Sequence, residues 1–174
     1  MRKLFPLGML LVLLAGATAA QAQDATGTLA VSFTVASSFQ LVVNQAPGGV
    51  ALTGGGTSAA SADLGTVSYY GGCTTAGVTC TQAPPNLSVT TTFAVRVDSA
   101  SSSSANYRLD ASLAAADATN TWRVNTVTLS TTAQTVRASS AYGTDVIQNL
   151  EILVPNTAPT GAVSNTINLL AFAI

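Results

Sequence analysis

Along most of the chain, apolar side chains fall at every second position. Leu29, Val31, Phe33 and Val35 alternate with small or polar neighbours, and Phe39, Leu41 and Val43 continue the pattern. The same period returns at Phe93, Val95 and Val97, at Tyr107, Leu109, Ala111 and Leu113, at Leu150, Ile152 and Val154, and at Ile167, Leu169 and Ala171. Successive side chains of a strand point to opposite faces, so each run offers one apolar face and one wetter face. The Thr, Val and aromatic residues that fill these runs suit a pleated surface. The pattern predicts strands over 27–35, 39–43, 62–68, 88–98, 106–113, 122–131, 134–138, 147–154 and 162–173.

Turn formers separate the runs: Ala46-Pro47-Gly48-Gly49, Gly54-Gly55-Gly56, Gly71-Gly72, Pro84-Pro85, Ser99 to Asn106 and Asn156 to Gly161. Short strands at this spacing predict an all-β fold, an immunoglobulin-like antiparallel β-sandwich. The Gly-rich stretch Ala46 to Ala62 reads as a flexible surface loop, and Leu113 to Thr119 as the one place for a helical turn. The final stretch, NTINLLAFAI, is apolar on both faces. A strand covered on both sides has that character. A central place in the sandwich is the simpler account; burial against a neighbouring subunit is the other.

The first residues break the pattern. Arg2 and Lys3 precede an apolar stretch from Leu4 to Ala17, and Ala20-Gln21-Ala22 offers small residues for cleavage after Ala22. This is the layout of a secretory signal. The run from Leu7 to Ala20 is shorter than the ~20 apolar residues that span a bilayer. No cysteine follows it for lipid attachment. Residues 1–22 are therefore read as a signal peptide and 23–174 as a single sandwich domain, exported to the cell surface or medium, with the periplasm as the alternative.

Composition narrows the function. After residue 22 four arginines (Arg96, Arg108, Arg123, Arg137) face seven acids, and lysine and histidine are absent. Charged residues make up 7% of the whole chain, against about 25% in an average soluble protein. A surface hydrated by hydroxyls and amides loses little solvation when another surface covers it, which favours self-association. Four scattered arginines cannot neutralise a run of phosphates, so nucleic acid is excluded as a partner. Hydrophobic residues at 48% argue against disorder.

Cys73 and Cys80, in GGCTTAGVTC, enclose six residues. In an exported chain an even pair predicts a disulfide, here stapling an exposed loop tip. A metal or redox role needs C-x-x-C spacing or further soft ligands, which this stretch lacks.

Catalytic motifs are missing. Without histidine there is no Ser-His-Asp or Cys-His arrangement, and without a mature lysine no Ser-Lys pair. The Gly54-Gly55-Gly56 run is not followed by the Lys and Ser/Thr of a phosphate loop. Paired carboxylates are the remaining option. Asp98 and Asp110 flank an expected hairpin, but Arg96 and Arg108 stand beside them, which predicts surface ion pairs. The acids are scattered singly, with no D-x-D-x-D-G run for calcium. The reading is therefore no enzyme, no cofactor and no metal site. Trp122 is expected in the core. Of Tyr69 and Tyr70, which point to opposite faces of a strand, one is expected to be exposed.

The order of elements resembles that of spore-coat-U-type secreted domains and of the pilin subunits of chaperone–usher systems. Leu64-Gly65-Thr66-Val67-Ser68, the stretch Val95 to Leu109, and Pro159 to Ile167 carry the resemblance. Ser37 and Ser38 stand where that family has a cysteine, and Ile174 replaces a terminal aromatic. The resemblance implies an incomplete or complete immunoglobulin-like sandwich that builds an extracellular polymer. In a fibre, Asp24 to Val35 is the natural donor, adding its alternating side chains to a neighbour's open edge. The leading expectation is a non-catalytic structural or adhesive subunit of a bacterial fibre or coat layer, contacting itself or other surface subunits. The alternative is a secreted module that binds glycans or a surface protein.

Overall fold

Thirteen strands carry the described residues: β1 (Phe39–Gln45), β2 (Leu52–Thr53), β3 (Ser61–Ala62), β4 (Val67–Ser68), β5 (Gly72–Cys73), β6 (Thr79–Ala83), β7 (Asn86–Ser99), β8 (Asn106–Leu113), β9 (Thr121–Val124), β10 (Val127–Thr128), β11 (Gln134–Ala141), β12 (Val146–Pro155) and β13 (Ile167–Ala173). The computed structural model describes residues 39–99 and 104–174, with Ala30 and Ser32. The expected signal peptide, the strand expected at 27–35 and the donor segment lie outside them, apart from those two residues.

The larger sheet runs β1-β7-β12-β9-β10, with β6 also on β7; the smaller runs β11-β8-β13. Every pairing is antiparallel. The fourteen residues of β7 form the spine: β12 follows one side from Asn86 to Val95, while β1 takes Phe93 to Ser99 and β6 takes Asn86 to Thr90 on the other.

Alternation builds the core between the sheets. Leu87, Val89, Phe93, Val95 and Val97 point inward from β7, with Leu150 and Ile152 from β12 and Trp122 and Val124 from β9. Tyr107, Leu109, Ala111 and Leu113 of β8 meet them, each 4% exposed or less. At one end, Tyr142 packs against both Phe39 and Tyr107, with ring centroids 5.9 and 5.6 Å away. The fold is thus the expected all-β antiparallel sandwich.

Several local expectations are corrected. β7 and β8 do not form a hairpin: the chain crosses between sheets after Ser99, so Asp98 and Asp110 sit in different layers. Leu113 to Thr119 contains no helix, because the Asp117 carboxylate draws the backbone N–H groups of Thr119 and Asn120 into a turn. The Gly-rich stretch lies on the surface as expected from Ala51 to Ala62, but its first part is anchored to the core. Ala46 and Val50 are each 1% exposed, and the Thr91 hydroxyl accepts from Val50 N and donates to the Gly77 carbonyl.

The run 62–68 is split between β3 and β4 at Gly65, which has a positive φ of 67° and donates its N–H to Asp63. The run 122–131 folds into the β9–β10 hairpin through Asn125 and Thr126, both at positive φ, which is what a two-residue hairpin turn requires. The disulfide joins β5 to β6 with Cα atoms 5.4 Å apart, and both cysteines pack on the core. It ties a small hairpin to the larger sheet rather than closing a loop tip. Finally, β13 is not central: among the described strands it pairs only with β8.

Candidate functional site

The acids were the one catalytic option, and each described carboxylate has a structural partner. Asp98 meets Arg96 at 3.0 Å. Asp110 receives two bonds from Arg108 at 3.0 and 3.1 Å and a third from the Thr135 hydroxyl at 2.9 Å. Glu151 takes the Ser88 hydroxyl at 2.7 Å and Arg123 at 3.3 Å. Asp145 accepts from Asn44, and Asp63 from Gly65 N. The ion pairs expected at Asp98 and Asp110 are present.

Asp117 is the most heavily bonded acid. Burial works against its charge, but the N–H of Asn120, the indole of Trp122, the Asn120 amide and the N–H of Thr119 hold the carboxyl well below the usual carboxylate range. In the core, burial pushes the Tyr107 phenol upward, while the Ser140 hydroxyl and the Arg137 charge pull the other way. Among the described residues no three His, Cys, Asp or Glu side chains gather where a metal ion could sit. Trp122 is 7% exposed and turns its indole N–H to Asp117, so it offers no platform to a ligand. Tyr70, at 92% exposure, is the exposed member of the tyrosine pair.

Two shallow depressions flank the β9–β10 turn. One, about 360 Å³, is lined by Thr79, Thr90, Thr92, Thr126 and Glu151. The other, about 490 Å³, is lined by Asn125, Thr126, Arg137, Ser139 and Asn149. Asn125 holds this region together: its amide donates to the Val136 carbonyl at 3.2 Å and to the Gln148 side chain at 2.5 Å, and accepts from Asn149 N at 2.9 Å. Arg137 donates to the Ile147 carbonyl, and no described carboxylate lies within 4.0 Å of it. Neither Asn125 nor Arg137 stood out in the sequence, because their partners are distant in the chain.

The feature with the clearest surface chemistry is the side of β13 that no other described strand pairs with. Sheet edges expose unpaired N–H and C=O groups, and proteins usually blunt them with charge, bulges, short strands or a covering loop. Of the described lateral edges, β6 is five residues long and tied to β5 by the disulfide, and three others are blunted. β1 is capped in its middle by the Gly56–Thr57 turn, through Val43 N to Thr57 O at 2.8 Å and Gly56 N to Val43 O at 2.9 Å. β10 has two residues. β11 shifts register twice, around Arg137.

Among the described residues β13 carries none of these devices. It keeps one register with β8 from Ile167 to Ala173 and contains no charged residue or proline. Its inner residues Ile167, Leu169 and Ala171 are only partly buried against the core. Its outer residues Leu170 and Phe172 are 53% and 38% exposed, and Ile174 beyond it is 51% exposed. Arg108 lies over the Phe172 ring at 4.6 Å, so the one nearby cation is already engaged by a ring and by Asp110.

The sides of the sandwich differ accordingly. β10 and β11 approach each other and close one side. By the strand order, β1 and β13 flank the opposite one. No protein-family model matches the chain, and no characterised protein matches it in sequence. Among the described residues no helix is long and apolar enough to cross a membrane. The disulfide is compatible with an oxidising compartment.

Proposed function

We propose that this chain is an exported, non-catalytic structural or adhesive subunit of a bacterial surface fibre or coat layer. The observation that carries the reading is the β13 edge: seven residues in regular register, without charge, with Leu170 and Phe172 exposed on its outer face. An edge of this kind is a template for another strand, because backbone hydrogen bonds supply the attraction and no ion must be desolvated. The sparse charge of the whole chain supports the same reading. So does the assignment of each described acid to a structural bond rather than to a shared cleft.

The test is purification of the protein secreted by cells that express it with its own leader. N-terminal sequencing is expected to begin at Gln23. Light scattering and electron microscopy are expected to show assemblies that grow with concentration. A strict monomer at high concentration overturns the proposal.

A second reading, a glycan-binding module, draws support from the depression beside Arg137, where hydroxyls and amides surround an arginine without a carboxylate partner among the described residues. Binding of an acidic glycan that Arg137→Ala abolishes favours this reading over the first.

A further inference from the structure

The ladder between β8 and β13 fixes which backbone groups face outward. Ile174 N donates to Asn106 O at 3.0 Å, and Ala114 N donates to Thr166 O at 2.8 Å. Both bonds lie on the register that pairs Ile167 with Leu113 and Ala173 with Tyr107. Antiparallel pairs alternate between hydrogen-bonded and non-hydrogen-bonded. Asn168, Leu170 and Phe172 therefore turn their N–H and C=O groups toward β8, while Ile167, Leu169, Ala171 and Ala173 turn theirs to the opposite side, where no other described strand lies.

We infer that β13 pairs antiparallel with β13 of a second copy about a two-fold axis at Leu170, joining two three-stranded sheets into one. This rests on the reading of the chain as a self-associating subunit and names its partner surface. Centring on Leu170 is the arrangement that overlaps the whole strand: Ile167 meets Ala173 of the other copy, and Leu169 meets Ala171, so every outward backbone group is used. Any other register about a two-fold leaves some of them unpaired.

Charge favours a second copy as the occupant. From Ile152 to Ile174 the sequence has no ionisable side chain. Two such edges approach without repulsion, whereas a charged partner strand finds no counter-ion on this edge. The size of the contact sets its strength. Seven residues span about 24 Å, a strip far smaller than the roughly 1,200–2,000 Å² of a stable interface. The pairing is therefore weak and concentration-dependent, suited to molecules held close together at a surface.

At this centre the two Leu170 residues form a non-hydrogen-bonded pair with Cα atoms about 4.5 Å apart, within the span a disulfide bridges. Asn168 and its counterpart lie about 13 Å apart along the strand. Leu170→Cys and Asn168→Cys proteins, each secreted with the Cys73–Cys80 disulfide intact, are treated with copper–phenanthroline. The oxidant takes the two electrons as two thiols lose their protons and join. Non-reducing gels are expected to show dimer for Leu170→Cys at more than ten times the yield for Asn168→Cys. Leu170→Lys is expected to weaken association at least tenfold by light scattering, with its melting temperature unchanged. If assemblies form but the two cysteine proteins cross-link alike, or Leu170→Lys assembles normally, the pairing is wrong and the subunit reading stands. If the unsubstituted protein is monomeric throughout, both fail.

Discussion

The indole Nε1 of Trp122 donates to Asp117 Oδ2 at 2.8 Å, across a loop that also delivers the N–H groups of Thr119 and Asn120 to the same carboxylate. One acid thereby orients the single tryptophan of the core and shapes the connection between the two sheets.

Removing that acid tests its weight. Asp117→Ala is expected to cost about 2–3 kcal/mol, in the range for bonds to a charged acceptor, and to alter the near-ultraviolet signal of Trp122. Chemical denaturation followed by tryptophan fluorescence measures both.

The same carboxylate sets a pH dependence. Its folded pKa is depressed below the usual value, so it contributes stability fully above the unfolded carboxylate range, near pH 4. That contribution is lost as pH falls toward the folded pKa. Melting temperature is expected to drop below about pH 4, and the Asp117→Asn protein is expected to show a shallower drop. Equal acid profiles for the two proteins would remove Asp117 from this role.

Thr126 sits at φ 71° in the β9–β10 turn, with its side chain exposed. A β-branched residue is strained there, whereas glycine is not. Thr126→Gly is expected to stabilise the protein by about 1 kcal/mol after the entropy of the unfolded glycine is offset. Thermal unfolding should shift upward by a few degrees.

Gly49 lies against the backbone of Thr92, and a methyl group there would overlap the Thr92 carbonyl. Gly49→Ala is expected to destabilise the fold by more than about 2 kcal/mol, since backbone must move on both sides. Proteolysis of the 46–62 region should accelerate in that variant.

Reducing the Cys73–Cys80 bond is expected to cost on the order of 2 kcal/mol, the scale for a loop this short. Calorimetry with and without reductant reads this as a melting shift of several degrees.

The strands of the core were legible because each buries one face: 106–113 matches β8 end to end, and the other long runs differ from β1, β7 and β12 by a few residues. Short elements were not. The β2–β3 and β4–β5 pairs span two residues per strand, too few for a period to register. Residues 79–83 of β6 are polar and mostly exposed, so they lack an apolar alternation. The β9–β10 turn escaped because Asn-Thr lacks the glycine that usually marks it. The apolar character of 165–174 was visible, but its meaning depended on which strand lay beside it. Pairing partners are set by the whole topology, as the crossing between Ser99 and Asn106 shows.

The contrast between the bulged β11 and the plain β13 limits what such a molecule can build. If β13 pairs as proposed, a two-fold union uses up that border of each participant and leaves the bulged β11 borders at both ends of the doubled sheet. Growth along that direction stops at two, so a wall or thread made from these blocks must be stitched together through loops or broad faces, with the doubled sheet as its brick.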